Sequence, residues 1–396
     1  MSSGNPEVVV AGHICIDLIP DLDHVQGDLG AVFTPGKLVN VGPAAVSTGG
    51  SVSNTGLALH RLGVATALMG KVGTDVLGRA VLDALREREP ALAEGMIVEA
   101  DAHSSYTIVI NPPGVDRIFL HCPGANDTFG ADDVDYDAVA AARLFHFGYP
   151  PLMRRMFLDD GAELAAMFQR VKDRGVTTSL DMAWPDPASE AGKVDWPAVL
   201  ERTLRHVDLF LPSLDETLLM LDPARFARLQ AAGGQADAAL LAEISQRLLE
   251  MGAAIVVLKL GEHGLYLRTA ADRSRIEAAG PAAPKDTRDW TARELLSACF
   301  AVEVAGTTGA GDCTIAGFLA GLLKGQACED AMTSAVAVGA CNVEHADATS
   351  GVPHWEAVQE RIRRGWDRRP VGPALPGWQR HDASGVWCSP DDARSA

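Results

Sequence analysis

The sequence predicts an α/β fold of three layers, in which helices cover both faces of a mostly parallel central sheet and a small β-sheet forms a lid. Three observations support this prediction. Short apolar runs alternate with amphipathic stretches along most of the 396 residues. Two stretches interrupt that alternation with β-favouring runs and no long helix. A glycine-rich turn, Gly306–Asp312, joins a strand-like run to a helical pattern.

The strand-like runs are short and apolar, which is typical of strands buried in a middle layer. They are Val8–Ala11, Thr66–Met69, Leu144–Phe147, Thr177–Leu180, Leu209–Leu211 and Ile255–Leu260. Amphipathic stretches that predict helices separate several of them: Val52–Leu62, Gly78–Arg88, Asp160–Arg174, Trp196–His206 and Ala236–Met251. Ligands bind such sheets beyond the carboxyl ends of the strands. Asp181, Ser213, Lys259 and Asp312 follow or end strand-like runs and are therefore candidate site residues.

The lid is predicted from residues 14–47 and 103–123. Ser104–Ile110 and Arg117–His121 are β-favouring runs that flank the turn-rich connection Asn111–Asp116. This pattern predicts a β-hairpin, and the resulting small sheet is expected to cover the ligand cleft.

Two further segments complete the predicted organisation. Residues 268–297 are charged and rich in alanine, which predicts a long surface insertion in the main domain, residues 1–367. Residues 368–396 contain four prolines and little periodicity, which predicts an irregular C-terminal tail.

The glycine-rich turn Gly306–Asp312 is the strongest functional signal. Ala298–Val304 before it predicts a strand, and Cys313–Leu323 after it has apolar residues at helical spacing. Backbone N–H groups and the positive end of a helix dipole converge at such a turn and can hold phosphoryl oxygens. Asp312 can accept a proton from an attacking hydroxyl there. The spacing fits neither a dinucleotide fingerprint nor a Walker loop, and a tight connection without phosphate chemistry fits the same residues.

Composition excludes several classes of function. The formal net charge of −18 opposes binding to nucleic acid and to anionic membranes. An anionic substrate such as ATP therefore needs a local positive site or a divalent cation. No apolar run reaches the ~20 residues of a membrane span, and no basic segment precedes the first apolar run. The seven cysteines lack paired spacing, which favours a reduced, cytoplasmic setting without a zinc site.

Five motifs together resemble those of the PfkB, or ribokinase-like, carbohydrate kinase family. They follow the family's order over roughly residues 8–360. The family's first signature is matched by Thr48–Asn54, continuing to Gly78, and its second signature, D-T-x-G-A-G-D, is matched by Gly306–Asp312. Two shorter motifs are also present: N-x-x-E resembles Pro212–Glu216, and the nucleotide loop T-L-G-x-x-G resembles Leu258–Gly264. The returning strand of the family's lid resembles Phe119–Asn126.

The resemblance implies a ribokinase-like sandwich and an ATP-dependent kinase that phosphorylates a hydroxyl of a small neutral sugar or sugar acid. Separately, the hairpin predicted in residues 103–123 would expose apolar side chains, and an isolated two-stranded hairpin is marginal in water. We therefore expect two lids to pair in a homodimer, or the lid to close over the substrate. The roles that the resemblance implies are as follows: Asp312 as base; Gly309, Ala310 and Gly311 as anion hole; Asp17, Gly49, Gly50 and Asn54 at the substrate; Ser213, Lys259, Gly261, Gly264 and Asn342 at ATP; and Glu216 at Mg²⁺ through water.

Simpler roles are also open for several of these residues. Asn54 is a common helix cap, Asp17 can close a turn, and Glu216 can stabilise the first turn of a helix. The signature's first aspartate is Gly306 here, which puts the substrate contact and the monovalent cation of the family in doubt. A nucleoside kinase and a non-catalytic sugar- or nucleotide-binding regulatory homologue are the alternative functions.

Overall fold

A computed structural model describes residues 5–22, 25, 30, 34–111 and 118–394 of the chain. Its strands, in chain order, are β1 (Val8–Gly12), β2 (Cys15–Pro20), β3 (Ala44–Gly49), β4 (Thr66–Gly73), β5 (Met96–Glu99), β6 (Tyr106–Ile110), β7 (Ile118–Cys122), β8 (Leu144–Gly148), β9 (Thr177–Leu180), β10 (Leu209–Phe210), β11 (Ile255–Lys259), β12 (Leu265–Thr269), β13 (Glu294–Ser297), β14 (Gln379–Arg380) and β15 (Trp387–Cys388).

Within those ranges, eleven strands form the central sheet in the order β14-β15-β13-β12-β11-β10-β9-β8-β1-β4-β5. The strands from β11 to β5 in that order pair in parallel, and those from β12 to β14 add an antiparallel edge. In the register, Val8 of β1 lies opposite Thr66 of β4 and Leu144 of β8. The carboxyl ends of these parallel strands therefore meet at one edge.

Helices cover both faces of the sheet, as predicted. The helices are α1 (Ser51–Arg61), α2 (Val76–Arg88), α3 (Tyr136–Ala140), α4 (Arg154–Lys172), α5 (Trp196–Leu204), α6 (Leu214–Leu221), α7 (Pro223–Ala231), α8 (Ala238–Glu250), α9 (Arg273–Glu277), α10 (Ala310–Leu323), α11 (Cys328–Val343) and α12 (Trp355–Arg363). Val8 and Val10 pack into one hydrophobic core with α1, α2, α10 and α11, whereas Val9 packs into a second core with α4, α5, α6 and α8. In the described ranges, no helix combines the length and the apolar character needed to cross a bilayer.

The lid is a separate four-stranded sheet in the order β3-β2-β6-β7. Strands β6 and β7 pair antiparallel, with Tyr106 opposite Cys122, so the predicted hairpin is confirmed. The tip of its turn, residues 112–117, lies outside the described residues, as do residues 23–24, 26–29 and 31–33 of the first lid segment.

The strand predicted at Ala298–Val304 is wrong. The strand before the glycine-rich turn is β13, which ends at Ser297. Beyond it the chain leaves the sheet, and Phe300 makes a single bridge to Arg368. The apolar residues Phe300, Val302 and Val304 line a cavity instead. An apolar run predicts that its side chains face apolar surroundings, but it does not distinguish a strand from a cavity wall.

The surface insertion predicted at residues 268–297 is also wrong. That segment contains α9 and β13, and Trp290 and Arg293 are fully buried in it. The Arg293 guanidinium forms ion pairs with three carboxylates: Asp289 at 3.3 Å, Glu329 at 3.0 Å and Asp392 at 2.9 Å. The charge of Arg293 did not indicate a position on the surface, because carboxylates neutralise it inside the protein.

The C-terminal tail is less irregular than predicted. Strands β14 and β15 extend the central sheet, since β15 pairs with β13 and β14 pairs with β15. Val386 and Asp392 are buried, and Asp392 is one of the partners of Arg293. The tail is therefore part of the folded domain.

Replacing Arg293 with leucine is expected to lower the free energy of unfolding by about 3–5 kcal/mol, because Asp392 remains buried without a cation and Asp289 and Glu329 keep only the exposed Arg394. Chemical denaturation measures this change. Replacing Arg86, whose ion pair with Asp83 is exposed, with alanine is the control and should change stability by less than ~1 kcal/mol. A loss below ~1 kcal/mol for the leucine variant would contradict the role given to Arg293.

Candidate active site

The centre of the site is the Asp312 carboxylate in the first turn of α10, where it is 3% exposed. The Tyr149 hydroxyl donates to its two oxygens at 2.9 and 2.8 Å, and the Asn54 amide donates to Oδ2 at 3.0 Å. The Thr55 hydroxyl lies 3.4 Å from Oδ1. The structure therefore brings together two predicted site residues, Asp312 and Asn54. Asn54 is not a helix cap, because α1 begins at Ser51 with Gly50 as its cap.

Tyr149 was missed by the sequence reasoning as a partner of Asp312. It directly follows β8 and has a left-handed backbone with φ of 68°. Such a conformation is strained for a tyrosine, and strained residues concentrate at functional sites. Burial and the charge of Asp312 raise the pKa of the phenol well above its usual value. Tyr149 therefore keeps its proton and acts as a hydrogen-bond donor to the carboxylate.

The predicted glycine-rich turn leads directly into α10. Gly309 caps the helix with φ of 70°, and a side chain on it would collide with Ala348. The N–H groups of the first helical turn have no partner within the helix. The Ala310 N–H donates to the Thr307 carbonyl at 3.3 Å. A Cβ atom on Gly311 would lie 3.7 Å from Lys259 Nζ, so an ammonium group faces the turn.

Lys259 ends β11 and forms an ion pair with Asp181, which follows β9; Nζ and Oδ1 are 2.7 Å apart. Asp181 is fully buried. Burial opposes the charge on Lys259, but Asp181 and Glu216 outweigh it and raise the pKa of the ammonium. Burial raises the pKa of the Asp181 carboxyl although Lys259 opposes the rise. Two strand ends therefore hold a buried cation beside the glycine-rich turn.

Ser213 and Glu216 form a capping box at the start of α6. The Ser213 hydroxyl accepts from the Glu216 N–H at 3.2 Å, and Glu216 Oε2 accepts from the Ser213 N–H at 2.8 Å. The helix-stabilising role that we considered for Glu216 is therefore present. In the part of the chain that the structure describes, no group of three side chains is arranged as a complete metal site.

A cavity of about 340 Å³ lies on one side of the turn. Lys259, Gly261, Gly264 and Gly311 line it, together with apolar residues of the Cys299–Val304 segment and of α11. Asn342, predicted at ATP, is not among the residues that line it. That side chain is buried and donates to the Thr308 carbonyl at 2.9 Å, so it supports the turn from behind.

A larger cavity of about 720 Å³ lies between the lid and the ends of β1 and β8. It is lined by Asp17, Gly50 and Tyr149, and by two histidines that the sequence reasoning did not place in the site, His13 and His121. Their Nε2 atoms are 3.3 Å apart. Burial lowers the pKa of both imidazoles. His13 lies just beyond the carboxyl end of β1, and that position was the signal that could have identified it.

The Gly49–Gly50 pair lies at the back of this cavity. A side chain on Gly50 would collide with His13, and one on Gly49 would collide with the Asp17 carboxylate. Gly50 also has φ of 87°, which favours glycine. The pair therefore lets the end of β3 and the start of α1 approach His13 and Asp17 closely. Gly306 is similarly confined, since a Cβ atom there would lie 2.9 Å from the Ala346 backbone.

Buried histidines make stability depend on pH. His146 of β8 is fully buried, and burial lowers its pKa to about 3. Below the ~6.5 of an unfolded chain, the unfolded state takes up a proton that the folded state does not, so stability falls as pH falls. At pH 5 the loss from this group is about 2 kcal/mol.

We expect the His146→Asn variant to lose about 2 kcal/mol less stability than the parent between pH 7 and pH 5, because it lacks this group. Urea titrations at the two pH values measure the difference. The control is His354→Asn, which changes an exposed histidine and should keep the parent's pH dependence. Equal losses in the parent and the His146 variant would contradict the pKa of His146.

The pfkB family of carbohydrate kinases matches residues 5–355. An uncharacterized sugar kinase of Archaeoglobus fulgidus is 28% identical over 298 residues, which are 75% of this chain and 98% of the relative. The 2-dehydro-3-deoxygluconokinase of Bacillus subtilis is 24% identical over 332 residues, which are 82% of this chain and 89% of the relative.

Solved structures show the same fold. A putative ribokinase II from E. coli, in complex with ATP and Mg²⁺, superposes with a TM-score of 0.65 at 20% identity and covers 91% of this chain and 100% of its own. The predicted ribokinase-like fold is confirmed. The family match over nearly the whole chain and the two-cavity site lead to one conclusion: this chain belongs to the pfkB family of carbohydrate kinases and is a sugar kinase.

Proposed function

We propose that the protein transfers the γ-phosphoryl group of ATP to a hydroxyl of a small sugar, with Asp312 as the general base. The observation that carries the proposal is the position of Asp312 between two cavities. Its hydrogen-bond partner Tyr149 lines the larger cavity, and its neighbour Gly311 lines the smaller one. A hydroxyl in the larger cavity and a phosphate in the smaller one would both reach the glycine-rich turn.

ATP is assigned to the smaller cavity. Its apolar wall suits a base, and Gly261 and Gly264 would lie along the nucleotide. Phosphoryl transfer depends on alignment and charge neutralisation more than on covalent chemistry. The N–H groups from Gly309 to Gly311 and the Lys259 ammonium would supply that neutralisation at the turn. Ser213 adjoins this cavity, because a recess that it lines also contains Lys259 and Gly261.

Magnesium fits the carboxylates present. Mg²⁺ keeps several waters and takes one or two carboxylates together with substrate phosphates. Glu216 uses only Oε2 for its capping hydrogen bond, and its charge acts on Lys259. Glu216 would therefore hold the ion through water, and the ion would neutralise phosphate charge. A carboxylate at position 306 would attract a monovalent cation, but this chain has Gly306 there. We therefore propose that potassium has only a weak effect on the activity of this enzyme.

The acceptor is assigned to the larger cavity, where Asp17, Gly49 and Gly50 would meet its hydroxyls. Asn54 would act mainly by orienting Asp312. The charged residues among the described lining are Asp17, Asp127, Asp186, Glu190 and Arg154. The Arg154 guanidinium is paired with Glu190 at 2.7 Å. This balance of charge favours a neutral sugar over a sugar acid, although one relative is named for a sugar acid.

A nucleoside is the second candidate acceptor. The outer wall of the larger cavity is aromatic, with Trp184 40% exposed and Phe119 54% exposed. Exposed aromatic rings beside a polar pocket suit a substrate that carries a flat base. Phosphorylation assays with neutral sugars, sugar acids and nucleosides separate these candidates. If no compound of this panel is phosphorylated at the expense of ATP, the result would support a non-catalytic binding protein.

The Asp312→Asn variant should lose at least ~100-fold in turnover with the best acceptor of that panel, because the base is removed. Binding of ADP, measured by calorimetry, should be nearly unchanged. Asp330→Asn is a matched control, since Asp330 also lies in the first turn of a helix, α11, but is exposed to solvent. An Asp312 variant with near-normal turnover would rule out this base.

The lid supports the proposed homodimer. Side chains alternate across a strand, so Leu18, Val46, Ile108 and Leu120, which pair across the lid sheet, share the face opposite Asp17 and the larger cavity. Val46 is 58% exposed and Leu120 is 49% exposed. Apolar rows of this kind mark interaction surfaces, and we propose that a second lid covers this one.

Changing both Val46 and Leu120 to aspartate should convert the dimer to a monomer, because two buried carboxylates per lid would oppose association. Light scattering at several protein concentrations measures the mass. Val98→Asp, which changes an exposed valine of the central sheet, is the control and should leave the mass unchanged. A monomeric parent protein, or a dimeric double variant, would exclude the lid as the interface.

A further inference from the structure

The wall of the smaller cavity is held by a segment that follows the region matched by the family. The Ala301 N–H donates to the Asp367 carbonyl, and the Arg369 N–H donates to the Cys299 carbonyl, both at 2.8 Å. The Phe300 ring stacks on Trp366 with centroids 4.4 Å apart. The family match ends at residue 355. The chain beyond it therefore fixes the position of the cavity wall.

This segment also places a cation at the cavity. Arg369 lines it, and its guanidinium lies 2.6 Å from the Glu262 carboxylate. The Arg369 side chain is 43% exposed and that of Glu262 is 62% exposed. Exposed ion pairs of this kind are weak and exchange partners readily. Glu262 lies in the Gly261–Gly264 loop, so the pair joins the two sides of the cavity mouth.

The two cations that line the smaller cavity in the described ranges differ in how firmly they are held. The Lys259 ammonium is paired with Asp181, which is fully buried, and this ion pair holds it in place. Arg369 is paired at the surface and can give up its partner. A guanidinium carries five donors and suits the oxygens of phosphate and ribose. Arg369 is therefore the cation that an anionic ligand can recruit.

We propose that Arg369 is a nucleotide-binding residue supplied by the C-terminal segment, and that a bound nucleoside di- or triphosphate replaces Glu262 as its partner. The inference rests on the proposed placement of ATP in the smaller cavity. Arg369 would add binding energy for the nucleotide in the ground state and the transition state alike. It would therefore set nucleotide affinity and KM, while kcat would stay close to that of the parent.

The test is calorimetric titration of the full-length protein with Mg²⁺–ADP, together with KM and kcat for ATP. Arg369→Ala should weaken ADP binding about tenfold, the scale of one charge-assisted hydrogen bond, and should raise KM for ATP by a similar factor. Glu262→Gln should leave ADP binding unchanged or tighter, because it removes the competing carboxylate. Arg364→Ala, which removes an exposed ion pair with Glu360 on α12, is the control.

The different responses of the two variants, weaker ADP binding in Arg369→Ala but not in Glu262→Gln, separate a nucleotide contact from a purely structural ion pair. If the ion pair only holds the mouth of the cavity together, Arg369→Ala and Glu262→Gln should weaken ADP binding alike, and the proposal is overturned. Unchanged ADP binding in Arg369→Ala would overturn it as well. A parent protein that does not bind ADP would instead refute the placement of the nucleotide, which distinguishes that failure from this one.

Discussion

A carboxylate buried at the start of a helix is the constraint on which the site depends. Asp312 is 3% exposed, and an unpartnered charge at that depth would be costly. The Tyr149 hydroxyl and the Asn54 amide hydrogen-bond it and fix the direction of its oxygens. Their positions follow from the packing of α1 against α10 and from the left-handed turn after β8. The same contacts that stabilise the charge therefore hold it beside Tyr149, which lines the larger cavity, and next to Gly311, which lines the smaller one.

Parallel strands supply the rest of the site. His13 follows β1, Tyr149 follows β8, Asp181 follows β9 and Lys259 ends β11. The register of these strands brings their carboxyl ends to one edge of the sheet, as ligand sites of open α/β sheets require. The lid adds a second surface over that edge. The larger cavity thus lies between two sheets, whereas the smaller cavity is lined by the sheet, α11 and the C-terminal segment.

The parts of this arrangement that depend on local pattern could be predicted from the sequence. Apart from Ala298–Val304, the strand-like runs and amphipathic stretches correspond to strands and helices of the structure, and the glycine-rich turn leads into a helix as predicted. Contacts between distant segments could not be predicted in this way. Tyr149 meets Asp312 across 163 positions, and nothing in the neighbouring sequence marks that pairing.

Two wrong predictions have the same origin. Residues 268–297 are charged, and the expected surface insertion ignored partners far along the chain that neutralise Arg293 inside the fold. Ala298–Val304 is apolar because it faces a cavity, and its backbone pairs with residues 367 and 369. In both cases the C-terminal segment provides the missing partner. Local periodicity carries no information about such a partner, so the error appears at the edge of the sheet where that segment docks.

In the proposed mechanism, Asp312 accepts the proton of a hydroxyl bound in the larger cavity while that hydroxyl attacks a phosphate bound in the smaller one. A crystal structure with a non-hydrolysable ATP analogue, Mg²⁺ and the best acceptor tests it most directly. We expect one acceptor hydroxyl to lie about 2.6–3.2 Å from an Asp312 carboxylate oxygen, with the γ-phosphate at the Gly309–Gly311 turn. An acceptor bound in the smaller cavity, or one with every hydroxyl beyond reach of Asp312, would contradict it.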